Sequence, residues 1–216
     1  MGILLIDSSS RITEFGYIEN NKILFEKKSG LNSKADSLIY DIKTSFEEAG
    51  VNCRETETVA VSNGPGSFTG LRIGSSAAKG MCFSLGCRLV TINTLDITAN
   101  KIRTSDIITS MIFSNPRIPE FFYCDYKYEL NILKRISGYK TGSINEVVRN
   151  RDSIYLLNEK ITDNIPSEYT ELINDVSDKS SIISLWELTK EAMSANNFAD
   201  YRLSEPYYMK DFVPKI

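Results

Sequence analysis

Apolar positions along the chain follow two rhythms. Residues 3–6 are an unbroken apolar run, Ile3-Leu4-Leu5-Ile6, that stops at Asp7-Ser8-Ser9-Ser10. A short run ending in turn residues predicts a buried central strand. Phe15, Tyr17 and Ile18 predict a second strand, and Ile23, Leu24 and Phe25 a third, joined by a tight turn at Asn20-Asn21. The spacing then becomes helical at Ala35, Leu38, Ile39, Ile42, Phe46 and Ala49, with Ser33 as N-cap, Asp36 in the first turn and Gly50 as the stop. Val59-Ala60-Val61 predicts another buried strand. Gly64-Pro65-Gly66-Ser67-Phe68-Thr69-Gly70 is the strongest loop signal, and it opens a helix over 71–85 with Gly86 as its stop. Leu89 to Ile92 predicts a strand, and Asn93 or Thr94 caps a helix through about Arg103. Strand and helix alternating after a meander make an α/β pattern.

The character changes near residues 104–106. Beyond them, 107–113 and 121–130 predict strands, 143–149 a short helix, 154–157 a strand and 182–195 a helix carrying Trp186, the sole tryptophan. Ten of the twelve glycines lie at or before Gly86, so any phosphate cradle built from backbone belongs to the first half. The expected organisation is a first lobe over 1–105 and a second over 106–216, whose aromatic tail, 205–216, docks back on the body.

A chain of 216 residues buries roughly 70% of its unfolded surface, so disulfides are not needed for stability. Cys53, Cys82, Cys87 and Cys124 show no C-x-x-C spacing and fit a reducing cytoplasm. The N-terminus lacks the features of a signal peptide, and no stretch approaches the roughly 20 apolar residues of a membrane span. The chain has no histidine, which excludes a Ser-His-Asp triad, a Cys-His pair and any His-bearing metal site. Carboxylate chemistry and carboxylate-bound magnesium remain open. With 25 basic against 28 acidic residues the net charge is -3. Lys127, Lys134, Arg135, Lys140, Arg149 and Arg151 are interrupted by Glu129, Glu146 and Asp152. They read as a solvated face, which speaks against tight autonomous tRNA binding.

Three constellations carry candidate chemistry. Asp7, Ser8 and Ser9 end a central strand; they either hold a hydrated magnesium beside a phosphate or satisfy a strand-to-turn junction. Gly64, Gly66, Ser67, Thr69 and Gly70, with Arg72, either bind a nucleotide or anion at the helix start or form a sharp turn in which small residues let backbones approach. The loop is not a Walker motif, since Gly-Lys-Ser/Thr is absent. The helices at 35–49 and 71–85 hold more apolar residues than one core stripe needs, so they are either fully buried or shared with a partner.

The run Ser62-Asn63-Gly64-Pro65-Gly66-Ser67-Phe68-Thr69-Gly70-Leu71-Arg72-Ile73-Gly74, followed by Ala77-Ala78-Lys79-Gly80, resembles the signature of the TsaB (YeaZ) family. Leu4 to Ser9 resembles the family's first strand, and Pro206-Tyr207-Tyr208-Met209-Lys210 its C-terminal pattern; the resemblance covers residues 1–105 and returns at the tail. It implies an α/β fold of the ASKHA (actin, sugar kinase, Hsp70-like) type with two RNase-H-like lobes. It also implies a non-catalytic scaffold that binds TsaD, the metal-bearing catalytic sister. With TsaE, that assembly transfers threonylcarbamoyl to a tRNA adenosine. On this implication the partner interface is Leu38, Ile39, Ile42, Phe46, Leu71, Ile73, Gly74, Ala77, Ala78 and Met81, and the same surface serves homodimers. ATP or ADP and magnesium would belong to the partner subunits, with no intrinsic cofactor, and tRNA would be met only through the complex. Two positions depart from the family: Asp36 stands where a histidine is usual, and Asn115-Pro116-Arg117…Glu120-Phe121-Phe122-Tyr123 where Asp-Ala-Arg…Glu-Val-Tyr is usual. The rival reading is an independent ATP-dependent transferase or phosphatase using Asp7, Ser9 and Arg72. The "glycoprotease" label of the family's relatives is a weaker rival, since such chemistry lacks its histidines here.

Overall fold

A computed structural model describes residues 1–29, 35–115, 119–150, 152–161 and 165–209, the side chains of Ala35, Asp36 and Asn115 excepted. The expected Ser33 cap, Asp36 and Asn115-Pro116-Arg117 departures and tail residues 210–216 lie outside the described residues or side chains.

Two mixed sheets flanked by helices make up the fold. The first has the order β3 (Lys22–Ser29), β2 (Thr13–Glu19), β1 (Gly2–Asp7), β4 (Thr56–Ser62), β5 (Arg88–Ile92). β1 pairs antiparallel with β2 and parallel with β4, so it is central. Asn20 and Asn21 close the β2–β3 hairpin with φ of 49° and 63°, the left-handed pair a tight hairpin demands. All six β1 residues are buried. The two-residue period explains why. Leu4 and Ile6 face α1 (Ala35–Ala49) and α2 (Phe68–Leu85), with Tyr17, Phe46, Val59 and Ala78. Ile3 and Leu5 face α6 (Ser181–Ser194) through Ile182 and Leu185. Within residues 1–105 a helical residue, Ile97, joins that face's buried cluster, and α6 from the far end of the chain packs over it through Ile182 and Leu185.

The second sheet has the order β11 (Ile173–Asp175), β10 (Ser153–Leu157), β6 (Ile107–Asn115), β7 (Glu120–Glu129), β8 (Ile132–Arg135), with β9 (Lys140–Ser143) paired to β7. One face packs on α3 (Thr94–Ala99) through Leu95, Ile108, Ile112 and Tyr126. The other carries α4 (Ile144–Val147) through Met111, Phe113, Tyr155 and Val147. α5 (Ser167–Thr170) precedes β11.

The structure departs from the sequence expectations in three places. The helix expected to reach Arg103 ends at Ala99: beyond Asn100 the i→i−4 pattern stops, and the Lys101 N–H goes to the Thr98 carbonyl three residues back at 3.2 Å. α2 starts at Phe68 rather than Leu71, because the Ser67 hydroxyl caps it by accepting from Gly70 N–H at 3.2 Å. Strands β8, β9 and β11 were not expected, being only three or four residues long and mostly exposed or polar.

Candidate functional site

The two sequence-predicted loops come together at the start of α2, where they lie in close contact. β1 delivers Asp7 to a buried turn, where Asp7 Oδ1 accepts from the Ser9 N–H at 3.0 Å and the Ser9 hydroxyl at 2.6 Å. The glycine loop lies directly on this turn. Ser67 N–H donates to the Ser9 carbonyl at 2.7 Å. A Cβ at Gly66 would collide with the Ser9 carbonyl, one at Gly70 with the Ser8 carbonyl, and one at Gly74 with the Ser8 hydroxyl. Glycine stands here because backbone meets backbone. An anion needs free N–H donors, yet those of Ser67 and Gly70 are already used, and carbonyl oxygens line the contact. Thr69 is exposed on the far side of the turn.

Arg72 turns away from Asp7. Its Nε donates to Tyr208 OH at 3.2 Å, and its Cζ sits 3.9 Å above the Phe68 ring. Arg72 thus makes its contacts away from the Asp7–Ser9 pair. The tail segment 204–209 crosses the loop above them. Tyr207 N–H donates to the Asn63 carbonyl at 2.6 Å, and the Tyr207 carbonyl lies against Gly64, where no side chain would fit. Lys79 Nζ donates to the Ser204 carbonyl at 2.8 Å.

Charged groups buried between the sheets serve as ties. Glu14 on β2 accepts from Ser181 N–H at 3.0 Å, at the start of α6, and burial raises its carboxyl above the ordinary range. Lys101 spends its ammonium on the Asn158 side chain at 2.6 Å and the Lys179 and Val176 carbonyls at 2.8 and 3.3 Å. Burial lowers its proton affinity. Asp96 on α3 accepts from Tyr126 OH at 2.6 Å and Tyr139 OH at 3.1 Å, fastening that helix to β7.

The outer side of α2 is open. With α1 it borders an apolar groove of about 700 Å³ lined by Ile39, Ile73, Ala77, Met81 and Leu85, with Arg72 and Ser76 at its polar edge. The helical period divides the expected interface residues. Leu38, Ile42 and Phe46 recur every four residues and are buried against the sheet, as are Leu71, Gly74 and Ala78 on α2. Ile39, one position off that stripe, is 48% exposed. Ile73 and Met81 are half-buried, and Ala77 shows only its methyl at the groove floor. The most exposed aromatics of these helices lie outside the expected interface: Tyr40 at 68%, which the sequence did not single out, and Phe83 at 76%, which it counted only in the apolar excess of the second helix. The signal existed: an aromatic or isoleucine one step off a complete core stripe is an apolar residue the core does not need.

The arrangement is that of an actin-like fold whose loop is packed shut and whose two helices offer a bare flank. The solved structure titled "YeaZ from Pseudomonas aeruginosa" has the same fold, with a TM-score of 0.79 over 96% of this chain and 100% of that one at 17% identity. The family model described as "TsaD: tRNA N6-adenosine threonylcarbamoyltransferase" matches residues 34–148. Curated proteins named "tRNA threonylcarbamoyladenosine biosynthesis protein TsaB" are similar. The protein from Buchnera aphidicola subsp. Schizaphis graminum is 29% identical over 120 residues, 55% of this chain and 56% of that one. The protein from Bacillus subtilis is 25% identical over 140 residues, 63% of this chain and 59% of that one. The matched stretch thus spans a little over half the length of these relatives. The chain belongs to the TsaD family and, within it, to the TsaB/YeaZ proteins.

Proposed function

We propose that this chain is a non-catalytic partner subunit in tRNA threonylcarbamoyladenosine biosynthesis. It docks a TsaD-like catalytic subunit through the α1–α2 flank, and TsaE-like ATPase and tRNA are met through that complex. ATP or ADP and magnesium act in the partner subunits, and the same flank pairs two copies when the partner is missing. The reading places the protein in the cytoplasm, and no helix among the described residues is long and apolar enough to cross a membrane.

The observation that carries the reading is the groove. Its apolar lining with the exposed Ile39, together with Tyr40 and Phe83 exposed on the same two helices, is surface that a monomer gains nothing by leaving bare. The close contact between Asp7–Ser9 and the glycine loop supports it from the other side, because it takes up two of the N–H donors an independent ATPase would turn on a phosphate. A specific interface on this flank would bury about 1,600 Å² in total.

The test is a binding titration against the TsaD-like subunit, with tRNA modification assayed with and without this chain. Met81→Glu and Ile39→Asp put a charge into the groove and are expected to abolish docking while the chain stays folded. Wild-type affinity in both would refute the docking surface. Magnesium-dependent ATP turnover by the isolated chain, lost in Asp7→Ala, would instead establish the rival enzyme.

A further inference from the structure

The β7–β8 hairpin combines features that work against its own stability. Its register sets Lys127 directly opposite Lys134, both exposed. Like charges facing each other across strands destabilise a hairpin. Leu130 at the tip is 98% exposed and has a φ of 51°, with Asn131 at 64°. A left-handed leucine is strained, and this one recovers nothing by burial.

Of the acids that interrupt the basic residues in sequence, Glu146 is engaged elsewhere in space, while Glu129 and Asp152 are exposed and form no ion pair among the described residues. Glu146 accepts from the Ser143 N–H at 2.8 Å and the Ser143 hydroxyl at 3.0 Å, forming the cap of α4. Asp125 accepts from the Thr109 hydroxyl at 2.8 Å and pairs with Lys140 at 3.8 Å. Glu129 lies at the end of the hairpin, opposite Ile132. No ion pair among the described residues engages Lys127 or Lys134. With Asp125 taken up by Thr109 and Lys140, the two facing lysines keep their charges uncompensated by it.

We infer that the outer face of the β7–β8 hairpin contacts RNA, with Lys127 and Lys134 converging on one backbone phosphate and the Leu130 tip resting against an unstacked base or ribose. Cross-strand neighbours have Cβ atoms about 5 Å apart, so two flexible ammonium groups can share one phosphate. Binding it turns their repulsion into a paired, charge-assisted contact. The choice of RNA rests on the proposed tRNA pathway. An anionic bilayer is the lesser fit, since such surfaces call for clusters of about four to eight cations. With a net charge of -3 the chain would use this contact to orient RNA rather than to hold it alone.

The experiment titrates a fluorescent, unmodified tRNA transcript with the full chain at low and rising salt. Wild type is expected to bind at about 0.05 M salt, and Lys127→Gln/Lys134→Gln to bind about five- to tenfold more weakly. Its salt slope should fall by about one, the value for one phosphate contact. Lys134→Glu separates function from folding. It replaces a repulsive pair with an attractive one, so its Tm should rise while its RNA affinity falls. No wild-type binding at low salt, an unchanged slope in the double variant, or a Tm and affinity that fall together in Lys134→Glu would each overturn the inference. So would a loss of binding to phosphatidylserine vesicles in variants that keep their RNA affinity. Ile39→Asp, which addresses the groove, is expected to leave RNA binding as in wild type. A failure of docking and a failure of this contact are therefore read separately.

Discussion

The two sides of α2 are built from the same helix and end in opposite states. Toward β1, Gly70 and Gly74 lie on the backbone and hydroxyl of Ser8, and no gap remains. Toward solvent, Ile73, Ala77 and Met81 border a groove of about 700 Å³ that is left open among the described residues. The difference is one of side-chain size placed by the helical period. Where backbone must meet backbone the sequence uses glycine, and where it uses branched or flexible side chains the described residues leave a gap. The glycines of the most recognisable motif therefore serve packing on one side of α2, while Ile73, Ala77 and Gly80 of the same run border the proposed docking groove on the other.

The largest effect expected from this contrast separates two adjacent residues of α1. Leu38 is buried at 2% exposure in the same core as Phe46 and Val59, whereas Ile39 faces the groove. Leu38→Ala should cost about 2–5 kcal/mol in urea unfolding, the range for a truncated core leucine. Ile39→Ala should stay within about 0.5 kcal/mol, as at a surface position, yet weaken partner docking. Equal costs for the two would mean that the groove is closed in solution and the comparison is false.

The next effect concerns the closed side. Gly70 has an ordinary helical backbone, so alanine there meets no φ penalty, but its Cβ would strike the Ser8 carbonyl, which is backbone and cannot rotate away. Gly70→Ala is expected to cost about 1–3 kcal/mol, the usual range for overpacking, measured as a drop in Tm. A neutral result would show that the Asp7–Ser9 turn and the loop are not in contact.

Much of this was legible in advance because local signals were strong and agreed. The unbroken run 3–6 could only be a strand covered on both faces, and the loop with its flanking glycines fixed the start of α2 to within three residues. The mixed α/β class followed from their order. The site was half legible. The helices were identified, but every apolar residue on them counted equally, so Leu38, Ile42, Phe46, Leu71 and Ala78 were grouped with Ile39 and Met81 although they serve the core. Tyr40 and Phe83 were left outside the expected interface, because an exposed aromatic looks the same in sequence as a buried one. Periodicity gives the width of an apolar stripe; only tertiary packing says which edge of it is covered. Three short strands of the second sheet were missed for the opposite reason. Lys-Thr-Gly-Ser at β9 pairs through its backbone alone, and its side chains announce nothing.

The smallest effect is the sharpest test of the contrast, because it changes one variable. Gly80 and Gly70 belong to the same helix, and both have unremarkable φ. They differ in what lies beyond Cα: a carbonyl near Gly70, and nothing within 4 Å at Gly80, which lines the groove. Without a clash, Gly80→Ala keeps only the backbone-entropy gain of replacing glycine within a helix, so it should stabilise the chain by about 0.5–1 kcal/mol. A methyl group on the groove floor would at the same time obstruct a helix packed closely there, so affinity for the TsaD-like subunit should fall as Tm rises. A residue kept at a cost to stability at a site with ample room is best explained by something that fills that room. If Gly80→Ala stabilises the chain and docks unchanged, the partner does not approach that stretch of α2, and the interface must be redrawn toward Ile39 and Tyr40.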